Sequence, residues 1–297
     1  MASRIVSWVN GLMTISKPQF PLPYQLALIV FVWLALSPLV ALPLYQKLLF
    51  FPEVCQADSL VPHFEPLSKL CSSIKIVNFK SANNNQLAGC FLVLNPSAPV
   101  VLLSHGNAGN LSHRTILAEA LLRAGFSVFL YDYQGYGCSQ GSPSIRGVVD
   151  DALSAYDYLV TTEQVPSSKI VAYGESLGCG VAAELSKLRS VKAIVLQSGF
   201  PSLMWAAHDR LWFTWLYPQS WFPDLDCISA VKNKDHAPLL IIHGTEDAAF
   251  SVSYARLIFE KASEQKRLVI IKGLKHNVDW NDLAKLQTAL TDFRLSL

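Results

Sequence analysis

Charged side chains are scarce in this 297-residue chain, in which Asp, Glu, Lys and Arg together make up 15% of the residues, against about a quarter in a typical soluble domain. The formal net charge is only +2, and there is no run of lysines or arginines. We therefore expect no nucleic-acid partner, since nucleic-acid binding requires a basic surface. The six cysteines show no CxxC motif and no cysteine–histidine spacing, which argues against a disulfide framework or a zinc site and leaves any pairing of thiols open.

Hydrophobic residues, in contrast, reach 51% of the chain and are concentrated near its start. No residue from 18 to 46 is charged, and the 19 residues from Leu26 to Leu44 include one polar side chain. A run of this length matches the hydrocarbon core of a bilayer. We therefore predict an N-terminal segment over residues 1–23, a transmembrane helix over residues 24–46 that forms a single-pass membrane anchor in the lipid bilayer, and a folded domain over residues 47–297.

The same apolar run has two other interpretations, a buried core helix and a cleaved signal peptide. The side of the membrane on which the domain would lie is open, because Arg4 and Lys17 before the run oppose only Lys47 after it. Whether the glycosylation sequon that begins at Asn110 is used is open as well.

From residue 73 onward, short apolar stretches alternate with amphipathic ones. The first two, SIKIVNFK and LAGCFLVLN, are separated by the polar turn SANNNQ and predict an antiparallel pair of strands. Six more stretches are rich in β-branched residues: 99–105, 126–132, 169–174, 192–198, 238–243 and 267–272. Continuous apolar strands that alternate with helices form a mostly parallel sheet covered on both faces. We predict an α/β fold with an eight-stranded sheet of this kind.

The stretch KIVAYGESLG places a serine between two glycines directly after one of these strands. A strand that ends in G-x-S-x-G and runs into a helix is the context of a nucleophile elbow, which presents Ser176 at the carboxyl edge of the sheet. Gly174 and Gly178 would be required because the backbone there approaches its neighbours too closely for a Cβ atom. The alternative is an ordinary helix start that Ser176 caps.

A serine hydroxyl is a weak nucleophile that needs a base within hydrogen-bond reach and an acid to orient that base. The segments HGTED and KHN follow two later strands and supply Asp247 and His276. The order serine, acid, histidine is the one found in G-x-S-x-G hydrolases with this type of sheet. We predict Ser176, Asp247 and His276 as a catalytic triad, although in isolation Asp247 suits a turn and His276 a surface position.

Attack on a carbonyl carbon creates an oxyanion, which preorganised backbone N–H groups stabilise. The N–H of Leu177, directly after the serine, is one predicted donor. The loop HGNAGN, which follows the strand VVLLS, supplies the other at Asn107, and Gly106 lets this loop curl toward the elbow. The alternative interpretation of the loop is a helix-entry turn.

The motifs HGNAGN, YDYQGYGCSQG, GESLG, HGTED and KHN, preceded by an apolar segment and QKLLFFPE, resemble the membrane-anchored α/β-hydrolase-domain serine hydrolases over about residues 45–295. The resemblance implies the α/β-hydrolase fold and a serine esterase, lipase or thioesterase that uses the triad and oxyanion donors above and needs no metal or organic cofactor. The chain departs from the family at Gln134, where arginine is usual, and at Cys179, where glycine is usual.

The region of residues 200–237, where this fold usually inserts a cap, holds four of the seven tryptophans: Trp205, Trp212, Trp215 and Trp221. A small aromatic-rich cap would line an acyl pocket, dip into a membrane interface, or pack on its own aromatic rings. Together with the apolar N-terminus it favours a lipophilic ester or thioester substrate. A peptidase with the same triad and a catalytically silent membrane-bound scaffold are the alternative functions.

Overall fold

The computed structural model describes residues 21–36, 47–55, 60–210, 224–233 and 235–297. The chain divides into two units, the first ending at Tyr45 and the second running from Gln46 to Leu297. The predicted cap is described in part only, because Trp212, Trp215 and Trp221 lie outside the described residues. Its role therefore stays a prediction.

In the first unit, the described residues form helix α1, Leu22–Leu36. Its 15 residues correspond to about 22 Å at 1.5 Å per residue, less than the roughly 30 Å of a bilayer's hydrocarbon core. No helix in the described part of the chain is long and apolar enough to cross a membrane. The predicted transmembrane helix over residues 24–46, and the single-pass membrane localisation that depends on it, are therefore wrong.

The error comes from equating an apolar run with a helix of the same length. The run continues to Leu44 but contains Pro38 and Pro43, and proline disfavours helical backbone at the residue before it. The described helix has its last residue at Leu36, and residues 37–46 lie outside the described residues. Hydropathy counts apolar side chains and takes no account of where a helix can continue.

The second unit is built on one large β-sheet. Its strands, together with a small separate pair, are β1 Phe51–Pro52, β2 Ser73–Lys80, β3 Gln86–Val93, β4 Val100–Ser104, β5 Ala108–Gly109, β6 Ser127–Tyr131, β7 Ile170–Glu175, β8 Ala193–Gln197, β9 Leu239–Gly244 and β10 Lys266–Ile271. The large sheet has eight strands in the order β10-β9-β8-β7-β4-β6-β3-β2, and β1 pairs with β5.

Most neighbouring strands of the large sheet are parallel. Only β2–β3 and β3–β6 are antiparallel among its described pairs. The register places Ser104 of β4 opposite Gly174 of β7, so the carboxyl ends of these two strands lie side by side. Loops that follow parallel strands meet at one edge of the sheet, where α/β proteins form their sites. The predicted eight-stranded, mostly parallel sheet with an opening antiparallel pair is confirmed.

Helices connect and cover the strands. Their bounds are α2 Leu60–Phe64, α3 Thr115–Arg123, α4 Ile145–Thr161, α5 Leu177–Leu188, α6 Leu203–Arg210, α7 Cys227–Lys232, α8 Val252–Lys261 and α9 Leu283–Arg294. Helix α3 packs on α9, and α5 packs on α4 and α7. Side chains set several helix starts, since Ser144, Asp226 and Ser251 each accept a hydrogen bond from a main-chain N–H of the following turn.

The central strands are buried on both faces, which explains their continuous apolar sequences. Val101 and Leu103 of β4 belong to a core shared with Leu121 of α3 and Leu290 of α9. Leu102 between them is also fully buried, and it faces the opposite side of the sheet because side chains alternate along a strand. The polar alternation of a half-exposed strand is therefore missing from the sequence of β4.

The loop after β6 contains Gln134, one of the two departures from the family pattern. Its main-chain N–H and its Nε2 each donate to the buried Asp151 carboxylate at 2.8 Å. Its Oε1 accepts from Nδ2 of Asn83 at 2.9 Å and of Asn85 at 2.6 Å. Burial raises the pKa of Asp151 to about 6, although the two hydrogen bonds from Gln134 act in the opposite direction. Gln134 thus supplies donors to a buried acid but no positive charge.

This raised pKa predicts a stability that falls with rising pH. Below about pH 3 the Asp151 carboxyl is mostly protonated in both the folded and the unfolded chain. As the pH rises toward 6, the unfolded chain ionises first, so the free energy of unfolding falls, by roughly 3 kcal/mol in total for a pKa difference of this size. Gln134→Arg supplies the absent cation and should raise the free energy of unfolding by about 1–3 kcal/mol near pH 7, and by less near pH 5, in urea titrations.

The control is Gln134→Met, which has a similar length but neither donors nor charge. It should lower the free energy of unfolding at both pH values, because Asp151 then loses the hydrogen bond from the side-chain Nε2, while the main-chain N–H of residue 134 still donates to it. An arginine effect of the same size at both pH values would contradict the role assigned to Asp151.

Candidate active site

Ser176 is the single residue between β7 and α5. Its φ of 54° and ψ of −114° lie outside the regions that residues with a Cβ ordinarily occupy, a strain of about 1–3 kcal/mol. Its N–H donates to the main-chain oxygen of Gln197 in β8 at 2.9 Å, which ties the turn to the sheet. Within the described structure its side chain makes no capping hydrogen bond to α5, so the helix-cap alternative is not supported.

Gly174 and Gly178, two residues before and after the serine, lie where the backbones of the sheet and α5 are in close contact. A Cβ atom on Gly174 would come within 2.2 Å of the Gly178 oxygen, and one on Gly178 within 1.9 Å of the Ser104 oxygen. These neighbours are backbone atoms, which cannot rotate away as a side chain can. Cys179, the second departure from the family pattern, is buried here with its Sγ 3.1 Å from the main-chain oxygens of Gly174 and Gln197.

His276 and Asp247 lie on the loops that follow β10 and β9. His276 Nε2 is 2.9 Å from Ser176 Oγ, and His276 Nδ1 is 2.8 Å from Asp247 Oδ2. An ionised carboxylate only accepts hydrogen bonds, so Nδ1 carries the proton, and Nε2 of the neutral ring accepts from the serine hydroxyl. The structure brings the three predicted triad residues together in one chain of hydrogen bonds.

The Asp247 side chain is fully buried and is held by the turn that follows it. Its Oδ1 accepts from the N–H groups of Ala249 and Phe250 at 2.8 Å each, so Asp247 both closes a turn and binds His276. Burial alone would raise the pKa of Asp247, but hydrogen bonds from His276 and from the Phe250 N–H, together with electrostatic interaction with His276 and His243, hold the pKa below its ordinary value. The acid therefore stays ionised beside the imidazole.

A second histidine, His243, lies on the other side of the acid, and the sequence interpretation did not include it. Its Nε2 is 3.0 Å from the Phe250 main-chain oxygen and 3.4 Å from Asp247 Oδ2. Because a carbonyl oxygen only accepts, Nε2 carries a proton. The signal that could have identified it is its position near the end of β9, four residues before Asp247 in IIHGTED.

The two predicted oxyanion donors lie on different loops. Leu177 is the first residue of α5, and the N–H groups in the first turn of a helix have no acceptor within the helix. Gly106 and Asn107 follow β4 and line the same cavity as Ser176. A Cβ atom on Gly106 would lie 3.5 Å from Ser176 Cβ, which shows how closely this loop approaches the elbow.

Residues 47–55, called the strap below, run along the loop that contains Gly106 and Asn107 and form hydrogen bonds with it. The Phe51 N–H donates to the Asn107 main-chain oxygen at 2.9 Å, and the pairing of β1 with β5 extends this contact. The Asn107 side chain donates from Nδ2 to the Leu49 oxygen at 2.9 Å. Tyr136 Oη adds a 2.7 Å hydrogen bond to the Asn107 oxygen. Residues 47–53, which belong to the motif QKLLFFPE of the family pattern, thus hold the loop of Gly106 and Asn107 in place.

Glu175, the residue before the serine, forms an ion pair with Arg114 that the sequence interpretation missed. Arg114 Nε lies 2.7 Å from Glu175 Oε2, and both side chains are largely buried. The Gly106 N–H also donates to this Oε2, at 3.3 Å. Burial alone would raise the pKa of Glu175, but the charge and hydrogen bond of Arg114 and the Gly106 N–H hold the pKa below its ordinary value.

A cavity of about 360 Å³ opens in front of Ser176. Its larger apolar lining residues are Ile116, Leu117 and Val278. Trp205, the cap tryptophan that the structure describes, lies on α6 and is 47% exposed.

In the described part of the chain, no group of three or more His, Cys, Asp or Glu side chains could hold a metal ion, and the six cysteines are free thiols.

Comparison with known sequences identifies relatives of the chain. A profile described as the alpha/beta hydrolase fold matches residues 99–225. The alpha/beta hydrolase domain-containing protein 17B of Xenopus laevis is 32% identical over 200 residues, 67% of each chain. An uncharacterised protein of Mycobacterium tuberculosis is 38% identical over 185 residues, 61% of this chain and 64% of that protein. The chain thus matches less than two thirds of the mycobacterial relative's length.

Comparison with solved structures shows the same fold at low identity. An esterase of Pyrococcus furiosus superposes with a TM-score of 0.63 at 19% identity, over 77% of this chain and 93% of the esterase. An alpha-beta hydrolase of Vibrio vulnificus gives a TM-score of 0.64 at 16% identity, over 82% of this chain and 96% of that protein. Similarity at this level of identity shows a shared fold and not a shared substrate.

The sheet order and the elbow at Ser176 define the class of the protein as an α/β hydrolase by fold. The chain belongs to the alpha/beta hydrolase family, as its relatives show. The predicted fold is therefore confirmed, and family membership supports the prediction of a hydrolase enzyme. The anchoring to a membrane that the resemblance implied is not supported, for the reason given for α1.

The crowding at the elbow predicts a large effect of one added methyl group. Gly178→Ala places a Cβ atom against the Ser104 oxygen and should lower the free energy of unfolding by about 3 kcal/mol or more, or prevent folding, because backbone on both sides must shift. Urea unfolding followed by circular dichroism measures this change.

Gly273→Ala is the matched control for this substitution. Gly273 has a φ of 81° and open space around it, with the Lys285 Nζ at 3.8 Å as the nearest atom. Its substitution should lower the free energy of unfolding by about 1 kcal/mol through the backbone conformation alone. Equal effects of the two alanines would show that the close approach at the elbow is not what Gly178 is needed for.

Proposed function

We propose that the protein is a serine hydrolase that cleaves the carboxylic ester or thioester bond of a lipophilic acyl substrate. Ser176 is the nucleophile, His276 the general base and Asp247 the acid that orients the base. The observation that carries this proposal is the chain of hydrogen bonds from Ser176 Oγ through the His276 ring to Asp247 Oδ2. Membership in the alpha/beta hydrolase family supports it.

In the first step, Ser176 Oγ attacks the carbonyl carbon of the substrate while His276 Nε2 takes the hydroxyl proton. The hydrogen bond from Nδ1 to the ionised Asp247 stabilises the imidazolium that forms and keeps Nε2 facing the serine. The carbonyl oxygen becomes an oxyanion, which the N–H groups of Leu177 and Asn107 stabilise. Collapse of the intermediate transfers the proton from Nε2 to the departing alcohol or thiol and leaves Ser176 acylated.

In the second step, water replaces the leaving group. His276 Nε2 takes a proton from the water, the hydroxide adds to the acyl carbon, and the same oxyanion donors are used again. The carboxylic acid leaves as Nε2 returns the proton to Ser176 Oγ. The cycle closes with no group consumed other than substrate and water, so it requires no cofactor.

The lining of the cavity supports an acyl substrate of apolar character. Ile116, Leu117 and Val278 lie beside the polar loops and offer contact to a hydrocarbon chain next to the reacting carbonyl. Glu175 and Arg114, which also line the cavity, form an ion pair and neutralise each other. A neutral ester or thioester therefore suits the site better than a strongly charged substrate.

Labelling of the purified full chain with a fluorescent fluorophosphonate tests the proposal. The wild type should be labelled, because a fluorophosphonate phosphonylates a serine that has an activated hydroxyl. Ser176→Ala should abolish the label, whereas Ser186→Ala, on the helix after the elbow, should keep it. Labelling that survives Ser176→Ala would refute the assignment, and a folded wild type without label would favour a catalytically silent scaffold.

A panel of p-nitrophenyl esters, acyl thioesters and peptide amides then identifies the bond that is cleaved. We expect faster hydrolysis of esters or thioesters than of amides, with kcat/KM rising with acyl chain length because each buried CH₂ contributes about 0.8 kcal/mol. Preferential cleavage of peptide amides would make the protein a peptidase on the same triad. Rates that do not depend on Ser176 would exclude both interpretations.

The acid of the triad can be tested by a change that conserves its size. Asp247→Asn should lower kcat by about 10³–10⁴-fold at nearly unchanged KM, because an amide no longer holds His276 in the productive tautomer. Steady-state kinetics with the best ester measures this. The control Asp157→Asn removes the partner of Arg189 at the surface and should leave kcat unchanged. A similar loss in both variants would argue against a triad.

A further inference from the structure

We propose that Glu175 is a positioning residue for the oxyanion hole: its carboxylate, held by Arg114, links the elbow that presents the Leu177 N–H to the loop that presents the Asn107 N–H. The proposal rests on the proposed function, since it assigns a role within that reaction. Glu175 directly precedes Ser176 in the chain, and Gly106 directly precedes Asn107. One hydrogen bond between Glu175 and Gly106 therefore joins the two loops next to both donors.

The contacts of Gly106 determine which way the Asn107 N–H points. Its N–H donates to Glu175 Oε2 at 3.3 Å, and its carbonyl oxygen lies 2.7 Å from His105 Nδ1. The carbonyl oxygen of Gly106 and the N–H of Asn107 belong to one planar peptide group, in which they point in opposite directions. Because His105 Nδ1 donates to the carbonyl, the Asn107 N–H is directed away from His105 and is not free to flip.

The same loop is fixed from its outer side by the strap. The Asn107 main-chain oxygen accepts from Phe51 and from Tyr136, so the peptide group that follows Asn107 is held as well. Glu175 supplies the inner attachment and the strap the outer one. Preorganised donors of this kind stabilise an oxyanion without reorganising during the reaction.

Arg114 is needed because Glu175 alone would oppose the chemistry. An unpaired buried carboxylate near the forming oxyanion would repel it, and burial of an unpaired charge is itself unfavourable. The Nε atom of the Arg114 guanidinium lies 2.7 Å from Glu175 Oε2. A Cβ atom on Gly106 would lie 3.2 Å from its Nη2. The pair thus fixes the loop while presenting no net charge to the site.

The first test compares two substitutions of Glu175 by kcat and KM on a p-nitrophenyl ester. Glu175→Leu removes the acceptor for Gly106 and should lower kcat by about 100-fold, the loss expected when one oxyanion donor is misplaced, with KM changed less than about threefold. Glu175→Gln keeps an acceptor oxygen, so its kcat should be about tenfold higher than that of Glu175→Leu. A change in KM alone, or equal loss in both variants, would overturn the proposal.

The second test separates charge from geometry. Arg114→Met leaves Glu175 as an uncompensated buried charge and should lower kcat by about 100-fold, whereas the double variant Glu175→Gln with Arg114→Met should be about tenfold more active than Arg114→Met alone. If the losses of the two single variants simply multiply in the double variant, the pair does not act as a unit and the proposal fails.

Loss of folding is controlled for by comparing only variants whose melting temperature stays within about 4 °C of the wild type, roughly 1 kcal/mol for a chain of this size. Glu163→Gln breaks a remote ion pair with Lys75 and should leave kcat and KM unchanged. The double variant contains no unpaired buried charge, so it provides a folded comparison even if Arg114→Met does not fold.

Amide hydrogen exchange provides a readout that does not depend on activity. In the wild type the Gly106 N–H should exchange slowly, and Glu175→Leu should accelerate it at least about tenfold, while the Ser198 N–H bonded to Ile242 stays protected. If the wild type shows Ser176-dependent activity but Glu175→Leu leaves the exchange of the Gly106 N–H unchanged, the proposed link between Glu175 and Gly106 is wrong and the proposed function stands. If Glu175→Leu accelerates the exchange of the Gly106 N–H but the wild type has no Ser176-dependent activity, the proposed function is wrong. The hydrogen bond between Glu175 and Gly106 is then a structural contact only.

Discussion

The close approach of α5 to the ends of β4 and β7 is the constraint on which the rest of the site depends. Between Gly178 and the Ser104 oxygen there is no room for a Cβ atom, so the first turn of α5 is in direct backbone contact with the end of β4. The chain must therefore change from strand to helix within one residue, which forces Ser176 into a positive φ. The hydrogen bond from Ser176 N–H to Gln197 and the buried packing around it hold this strained turn.

Parallel strands then bring the partners of the serine to the same edge. Ser176 follows β7, Asp247 follows β9 and His276 follows β10, and these three strands run in one direction within one sheet. Residues 100 positions apart in the chain thereby reach hydrogen-bond distance. The loops after the strands carry the three side chains, and buried polar residues of the strands, Glu175 in β7 and His243 in β9, lie directly beneath them.

Three buried carboxylates show what decides the charge of an acid inside this protein. Burial opposes ionisation at Asp247, Glu175 and Asp151 alike. The pKa is held low at Asp247 by histidines and at Glu175 by an arginine, but it rises at Asp151, whose donors on Gln134 are neutral. At Asp151 the two hydrogen bonds from Gln134 lower the pKa by less than burial raises it, and no cation is among the causes that act on it. The two acids at the site are therefore ionised for a structural reason.

By itself, the sequence determined the strands, the parallel sheet, the elbow and the order of the three triad candidates. These features have local signatures, since apolar runs define buried strands and Gly174 and Gly178 bracket a turn that admits no larger residue. The tertiary structure alone decided that Glu175 meets Arg114 and Gly106, 61 and 69 residues away, and that Phe51 of the strap donates a hydrogen bond to Asn107. Among the described residues it also showed no helix long and apolar enough to cross a membrane, against the prediction from hydropathy. Contacts of this kind leave no periodic pattern, because the residues become neighbours only when separate strand ends and loops are brought to one edge of the sheet.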